Sequence, residues 1–311
     1  MARSSQPGAS LPTGQPGRSL DDVRGRMLAV VAVSTALLVA GCSDDGADTP
    51  VARPTASTSS EPAPGPSAST TPRPPLGTVP PPWLGKRVLP TTAEGYGEQR
   101  PTPPALRNRR FTLPDTLPML PGTGFKAVVT DPAPTQVIAR STWAPECPVR
   151  ADQLSWIRLT FRGFDGSRHT GELLVNSAVD DQLVRVFHDL WDADFPMEQL
   201  AVTTVAERDA APTGDGNGTG AFNCRPSTGG SSYSQHAYGL AVDVNPFQNP
   251  YLKGDLVLPE LATSYLDRGT VRRGMITPDG PVVRSFAAIG WGWGGGWNSL
   301  KDYQHFSANN R

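Results

Sequence analysis

Two short segments of this chain combine residue types that bind metals and move protons. In Ser234-Gln235-His236-Ala237-Tyr238-Gly239-Leu240-Ala241-Val242-Asp243, an imidazole precedes a strand-like run and a carboxylate sits on it. Leu240, Val242 and Val244 alternate, so Asp243 faces the opposite side. An acid in so apolar a strand is costly unless it is paired or ligates a cation. In Asp302-Tyr303-Gln304-His305-Phe306, an acid precedes a histidine by three residues on a turn. Two imidazoles and one carboxylate (His236, Asp243, His305) suit zinc with an open fourth position for water. Asp302, a second carboxylate that does not ligate, is what a zinc hydrolase uses as general base. A third segment, Phe222-Asn223-Cys224-Arg225, offers a buried arginine that can hold a developing oxyanion or a substrate carboxylate. His169 and His188 read as structural residues, one in a hairpin and one on a helix.

The elements that must position these groups lie in the second half of the chain. Ile157, Leu159 and Phe161 alternate with polar neighbours, Asp165-Gly166 signals a turn, and Glu172 to Val175 resumes apolar character. This predicts a hairpin. Ser177 caps a helix whose stripe is Val179, Leu183, Val186, Phe187, Leu190 and Trp191. Residues 200–205 read as a strand, 213–232 as a long Gly- and Ser-rich loop, and 239–244 as a strand. Asp279-Gly280-Pro281 opens a short helix that Gly290 ends. Strands and helices do not alternate regularly, so the fold class is α+β: an antiparallel sheet with flanking helices.

Composition bounds the rest. The 311 residues carry a net charge of −1, which leaves no basic excess for binding nucleic acid. Residues 50–82 hold 11 of the 33 prolines, mixed with Ser, Thr, Ala and Gly. Such a tract cannot bury enough apolar surface to order itself. Extended, its roughly 33 residues reach on the order of 100 Å. Ahead of it, Met27 to Ala40 is a short apolar run behind Arg24 and Arg26, the pattern of a signal peptide. Met27 is a candidate start. The run ends in Val39-Ala40-Gly41-Cys42, which resembles the lipobox of bacterial lipoproteins and implies a diacylglyceryl group on Cys42. Two acyl chains anchor stably where one is marginal. The expected organisation is a signal peptide with lipobox over 1–41, a disordered linker over 42–108 and a folded domain over 109–311; within the linker, residues 83–108 are still Pro-rich but include Trp83 and Tyr96, and either drape on the domain or stay loose. Cys147 and Cys224 are the two remaining cysteines, and in an exported protein such a pair forms a disulfide.

The segments Ser-x-His-x-x-Gly-x-Ala-x-Asp, Asn-Pro-x-x-Asn-Pro-Tyr (Asn245 to Tyr251), Gly-Trp-x-Trp-Gly-Gly (Gly290 to Gly295) and Asp-Tyr-Gln-His-Phe occur in this order. Together they resemble the D-alanyl-D-alanine carboxypeptidases of the vancomycin-resistance type and the related phage L-alanyl-D-glutamate endopeptidases. The likeness spans roughly Cys147 to Phe306. It implies a zinc cleft over an antiparallel sheet, with ligands His236, Asp243 and His305, Asp302 as acid/base and Arg225 stabilising the carbonyl. It implies peptidoglycan stem peptides as substrate; with the lipobox at Cys42, the expectation is a monomer lipid-anchored to the outer face of the bacterial cell membrane. Many carboxypeptidases have Glu where this chain has Asp302, and Asp is typical of the endopeptidase-like branch, so both bonds stay open. A zinc-containing wall-binding lipoprotein without turnover is the reading from another class, though it would not need both Asp302 and Arg225. Trp291, Trp293 and Trp297 divide between core packing and a substrate-stacking cleft wall. Ser234 and Trp297 are the candidate substrate contacts, and Asn245 and Tyr251 are read as fixing the loop after Asp243.

Overall fold

The computed structural model describes residues 74–311. The signal segment, Cys42 and the start of the Pro-rich tract lie outside the described residues. No helix among the described residues is long and apolar enough to cross a membrane.

The chain forms β1 (Ala127–Thr130), helix α1 (Thr135–Arg140), and then a long hairpin of β2 (Leu154–Gly163) and β3 (Arg168–Asn176). The hairpin is antiparallel and turns at Gly166, whose φ of +80° suits glycine. β1 joins β2 antiparallel, and the short β4 (Pro196–Met197) joins β2 parallel. Alternation along these strands builds two apolar faces. Ile157, Leu159, Phe161, Leu173 and Val175 face one core, while Leu154 and Leu174 face another with Val137, Val149 and Phe222. Helix α2 (Asp180–Asp192) lays Leu183, Val186, Phe187 and Leu190 on the first face. Each such fully buried side chain contributes about 1.5–3 kcal/mol by removing apolar area from water. Asp180 and Asp181 in its first turn suit the positive end of the helix dipole.

The rest of the domain adds α3 (Val205–Arg208), β5 (Ala241–Asp243), β6 (Tyr251–Lys253), β7 (Leu256–Leu258), α4 (Pro281–Ala288), β8 (Gly292–Trp293), β9 (Lys301–Asp302) and β10 (His305–Ser307). They make two small antiparallel sheets, ordered β5-β10-β8 and β7-β6-β9. Val242 and Val244 beside β10's Phe306 continue the first core, which Phe286 of α4 and Trp291 complete. The α+β reading is met, as are the hairpin, α2 and α4.

Two expectations need correction. Residues 200–205 make no strand. Leu200 forms one isolated bridge to Thr219, and Thr204 then opens α3 with a capping box to Glu207. The Thr-x-x-Glu signal outweighs the apolar run. Ser177 is not the cap before α2. Val179 holds the N-cap position of α2 without a side-chain cap, and Asn176 caps the 3-10 turn Ser177–Val179 before it, accepting a hydrogen bond from the Ala178 N–H at 3.1 Å.

Residues 83–108, which the sequence left between draping on the domain and staying loose, pack on it. Leu89 and Leu106 are buried in a third core with Phe111, Phe247, Leu261 and Tyr265. The Leu89 N–H donates to the Pro212 carbonyl at 2.8 Å, and the Thr102 hydroxyl donates to the Leu261 carbonyl at 2.6 Å. Just beyond, Arg109 is sealed inside. It donates to both oxygens of Glu198 at 2.7 and 2.6 Å and to the Asp215 carbonyl at 2.7 Å. Asn217 adds a hydrogen bond to Glu198 at 2.8 Å, so the loop that carries Asn217-Gly218-Thr219 is tied into the interior.

Candidate active site

The three candidate ligands meet because of strand register. β5 and β10 pair antiparallel with Asp243 directly opposite His305 and Val242 opposite Phe306. Cross-strand neighbours lie about 4.5–5.5 Å apart and share a face. The valine and phenylalanine go to the core, and the acid and the imidazole go to the other side. His236 arrives from the 3-10 turn Gln235–Tyr238, which Ser234 caps and Gly239 ends. Gly239 has φ +68°, and a Cβ there would stand 2.5 Å from the Asn176 nitrogen, so the turn requires glycine.

The donor atoms converge. His236 Nε2 lies 3.1 Å from His305 Nδ1 and 3.2 Å from an Asp243 oxygen, and His305 Nδ1 lies 3.0 Å from the other. The opposite ring nitrogens decide what this means. His236 Nδ1 is 2.6 Å from the Ala221 carbonyl, and His305 Nε2 is 3.2 Å from the Arg311 main-chain oxygen. A carbonyl only accepts, so each of those nitrogens carries the proton and donates. In the neutral rings, Nε2 of His236 and Nδ1 of His305 are then lone pairs aimed at one point, beside a carboxylate. Acceptors facing acceptors is the chemistry of a cation site, and the group can hold a metal ion.

Charge distribution agrees. Burial works to raise the Asp243 carboxyl, but the adjacent His236 and His305 outweigh it and hold the group well below the usual carboxylate range. Burial works against protonating His305, yet Asp243 and the other nearby acids favour positive charge at that point and leave it raised, whether a proton on Nδ1 or a cation in its place supplies the charge. Asp302 sits in β9 next to Tyr251 of β6. Desolvation and then the Asp243 carboxylate push it up to about 7. Its Oδ1 is shielded and has no hydrogen-bond partner. Gly294 allows this placement, since a Cβ there would lie 2.8 Å from the Asp302 Cβ.

His236, Asp243, His305, Asp302, Arg225 and Ser234 line one cavity of about 670 Å³. Arg225 is half-buried, not buried, and its guanidinium donates to the Pro226 carbonyl at 3.0 Å. Ser234 also accepts from the His236 N–H at 3.4 Å, so it positions the ligand as well as facing the cavity. The tryptophans divide. Trp291 is buried in the core, Trp293 packs partly against it, and Trp297 lines the cavity with its ring centroid 5.5 Å from that of His305. Trp297 Nε1 donates to Asn310 at 2.9 Å. Asn245 is buried at φ +46° and donates to the Pro196 carbonyl, so it does fix the loop after Asp243. Tyr251 reaches the cavity itself, beyond the loop-fixing role expected of it. His169 and His188 are elsewhere, one between Asp115 and Asp165, the other stacked on Phe125.

A disulfide joins Cys147 to Cys224, with Cα atoms 5.9 Å apart. It ties the residue before Arg225 to the α1 side of the domain and closes a long loop across 77 positions. Sequence reasoning missed Tyr233, Glu260 and Arg311, which also line the cavity. They come from a loop, a strand exit and the chain end, and none lies in a spaced motif.

Neither the curated proteins nor the solved structures yield a match to this chain. Residues 228–308, which contain His236, Asp243, Asp302 and His305, match the family model described as D-alanyl-D-alanine carboxypeptidase, and over that segment the chain is similar to this family.

Proposed function

We propose that this chain is a zinc-dependent peptidase that hydrolyses peptidoglycan stem peptides and removes the terminal D-alanine. The observation that carries the reading is the convergence of two imidazole lone pairs and the Asp243 carboxylate in one cavity with Asp302 and Arg225. His236, Asp243 and His305 fit zinc, since each histidine's outer N–H is already engaged by a main-chain oxygen. Bound there, the ion would supply positive charge that acidifies water and polarises a carbonyl.

The chain's own groups do the rest. Asp302, raised to about 7, accepts the proton of the attacking water near neutral pH. Its unpartnered Oδ1 leaves an acceptor free for that hydrogen. The Arg225 guanidinium balances negative charge growing on the scissile carbonyl oxygen. Asp302 then gives its proton to the leaving amine. Ser234 and Trp297 provide a polar contact and an aromatic wall for the peptide. We place the enzyme at the outer face of the bacterial membrane, as a monomer tethered through lipid on Cys42. Radiolabelled palmitate incorporated by the wild type and lost in Cys42→Ala supports the anchor, and equal labelling removes it.

The deciding experiment incubates the zinc-loaded chain with muropeptides bearing pentapeptide stems, beside Asp302→Asn, and reads products by mass. Loss of one alanine, absent in the variant, establishes the carboxypeptidase. Cleavage inside the stem moves the reaction to the endopeptidase, a reading the aspartate at 302 favours. Intact substrate with zinc bound overturns the catalytic reading in favour of wall binding.

A further inference from the structure

Three glutamates are buried in this domain, and one lacks a cation. Glu172 (2% exposed) pairs with Arg140, and Glu198 (1%) pairs with Arg109. Glu260 (6% exposed) joins no ion pair among the described residues. Its Oε1 accepts from the Gly97 main-chain N–H at 2.7 Å, and the side chain lines the same cavity as the candidate ligands. Burying a carboxylate with no counter-charge is expensive. The cost is offset where a ligand brings the missing charge.

The β7-β6-β9 sheet sets its place. Leu258, Tyr251 and Asp302 stand side by side across that sheet. Two strand spacings separate Leu258 from Asp302, about 10 Å, and Glu260 follows Leu258 by two residues. Glu260 also borders a second cavity of about 730 Å³. There Arg109, Glu198 and Asp215 are already hydrogen-bonded within the protein. The guanidinium groups of the site cavity, Arg225 and Arg311, leave Glu260 unpaired.

We propose that Glu260 is a specificity residue that receives an ammonium group of the substrate, on peptides carrying a free amine away from the bond cut. The proposal rests on the peptidase reading above. A diamino-acid side chain and a free amino terminus offer the same chemistry.

Calorimetric titration of the zinc-loaded full chain tests this, in the Asp302→Asn background so that peptide is not consumed. The probes are three peptides ending in D-Ala-D-Ala. One has lysine with a free side-chain amine and an acetylated terminus, one has lysine acetylated at both amines, and one has norleucine with a free terminus. The expected result is binding of one amine-bearing peptide about tenfold or more tighter than the doubly acetylated one. Glu260→Gln, which keeps the acceptor for Gly97, abolishes that preference. The peptide that shows the preference names the amine. Equal affinity of all three for unaltered Glu260 overturns the proposal, as does a preference that survives Glu260→Gln, or binding of none. The comparison of peptides needs no substitution at 260, so a Gln variant that fails to fold leaves the test intact. Discrimination in binding, with no cleavage by the chain carrying Asp302, would sink the peptidase reading alone. Cleavage without discrimination would sink this proposal alone.

Discussion

Around Arg109, donors meet acceptors. The guanidinium bonds both oxygens of Glu198 and the Asp215 carbonyl, Asn217 completes Glu198, and Phe247 lies under the cation at 4.6 Å. Around His236, acceptors meet acceptors. Two ring nitrogens and a carboxylate face one another within 3.2 Å, and the Asp302 Oδ1 nearby has no partner. Both regions bury charge, but only the first is complete within the protein. A satisfied polar network holds a fold together, and a network missing its cation marks a place where something binds.

Substitutions that tell the two regions apart sharpen this contrast. The largest effect is expected for His305→Ala. It removes one of the three candidate ligands, so zinc measured by elemental analysis is expected to fall to background and turnover to go with it. Zinc retained at wild-type stoichiometry would break the ligand assignment. Next comes Asp302→Asn, which keeps zinc and lowers kcat by about 10²–10⁴-fold. Near-normal turnover would remove Asp302 as the acid/base.

Glu198→Gln addresses the satisfied region. Removing one partner of a buried pair strands the other charge and costs about 3–5 kcal/mol. Denaturant unfolding should show that loss, while the folded variant still takes up zinc. A drop in zinc stoichiometry without a loss of stability would mean the two regions are not separate in role.

The smallest effect concerns pH in the metal-free protein. Asp302 is raised in the folded chain from its ordinary value near 4 to about 7. Between those values the folded state holds the proton more tightly than the unfolded state. The stability this group contributes is therefore present below about pH 4 and is lost as pH rises through about 7. His305, also raised, acts in the same direction at higher pH. Urea unfolding in chelator at pH 5 and pH 8 should show the decline, and Asp302→Asn should flatten its own share. An unchanged slope in the variant would contradict the raised carboxyl.

Much of this site was legible because its signals are local. Asp243 stood out as an acid between Val242 and Val244, and alternation placed it away from the core before any pairing was known. The hairpin and α2 followed from period-2 and period-3.6 apolar spacing, which two to four turns or pleats suffice to show. The 200–205 error has the same origin, since an apolar run alone does not outweigh a capping box. Residues 83–108 stayed undecided for another reason. Proline content reports what a segment cannot do by itself, and says nothing of Leu89 and Leu106 finding a core made by Phe247 and Tyr265 more than a hundred residues away.

The sequence by itself determined the α+β class, the residue types of the candidate ligands and of the candidate acid/base, and the cysteines available to pair. These depend on residue chemistry and on neighbours within a few positions. Tertiary structure alone decided that His305 stands opposite Asp243, that main-chain oxygens of Ala221 and Arg311 turn the two imidazole lone pairs inward, and that Glu260 joins their cavity. Each of those is a contact between residues distant in the chain. Only strand register and the packing of separate elements bring such atoms within hydrogen-bond reach.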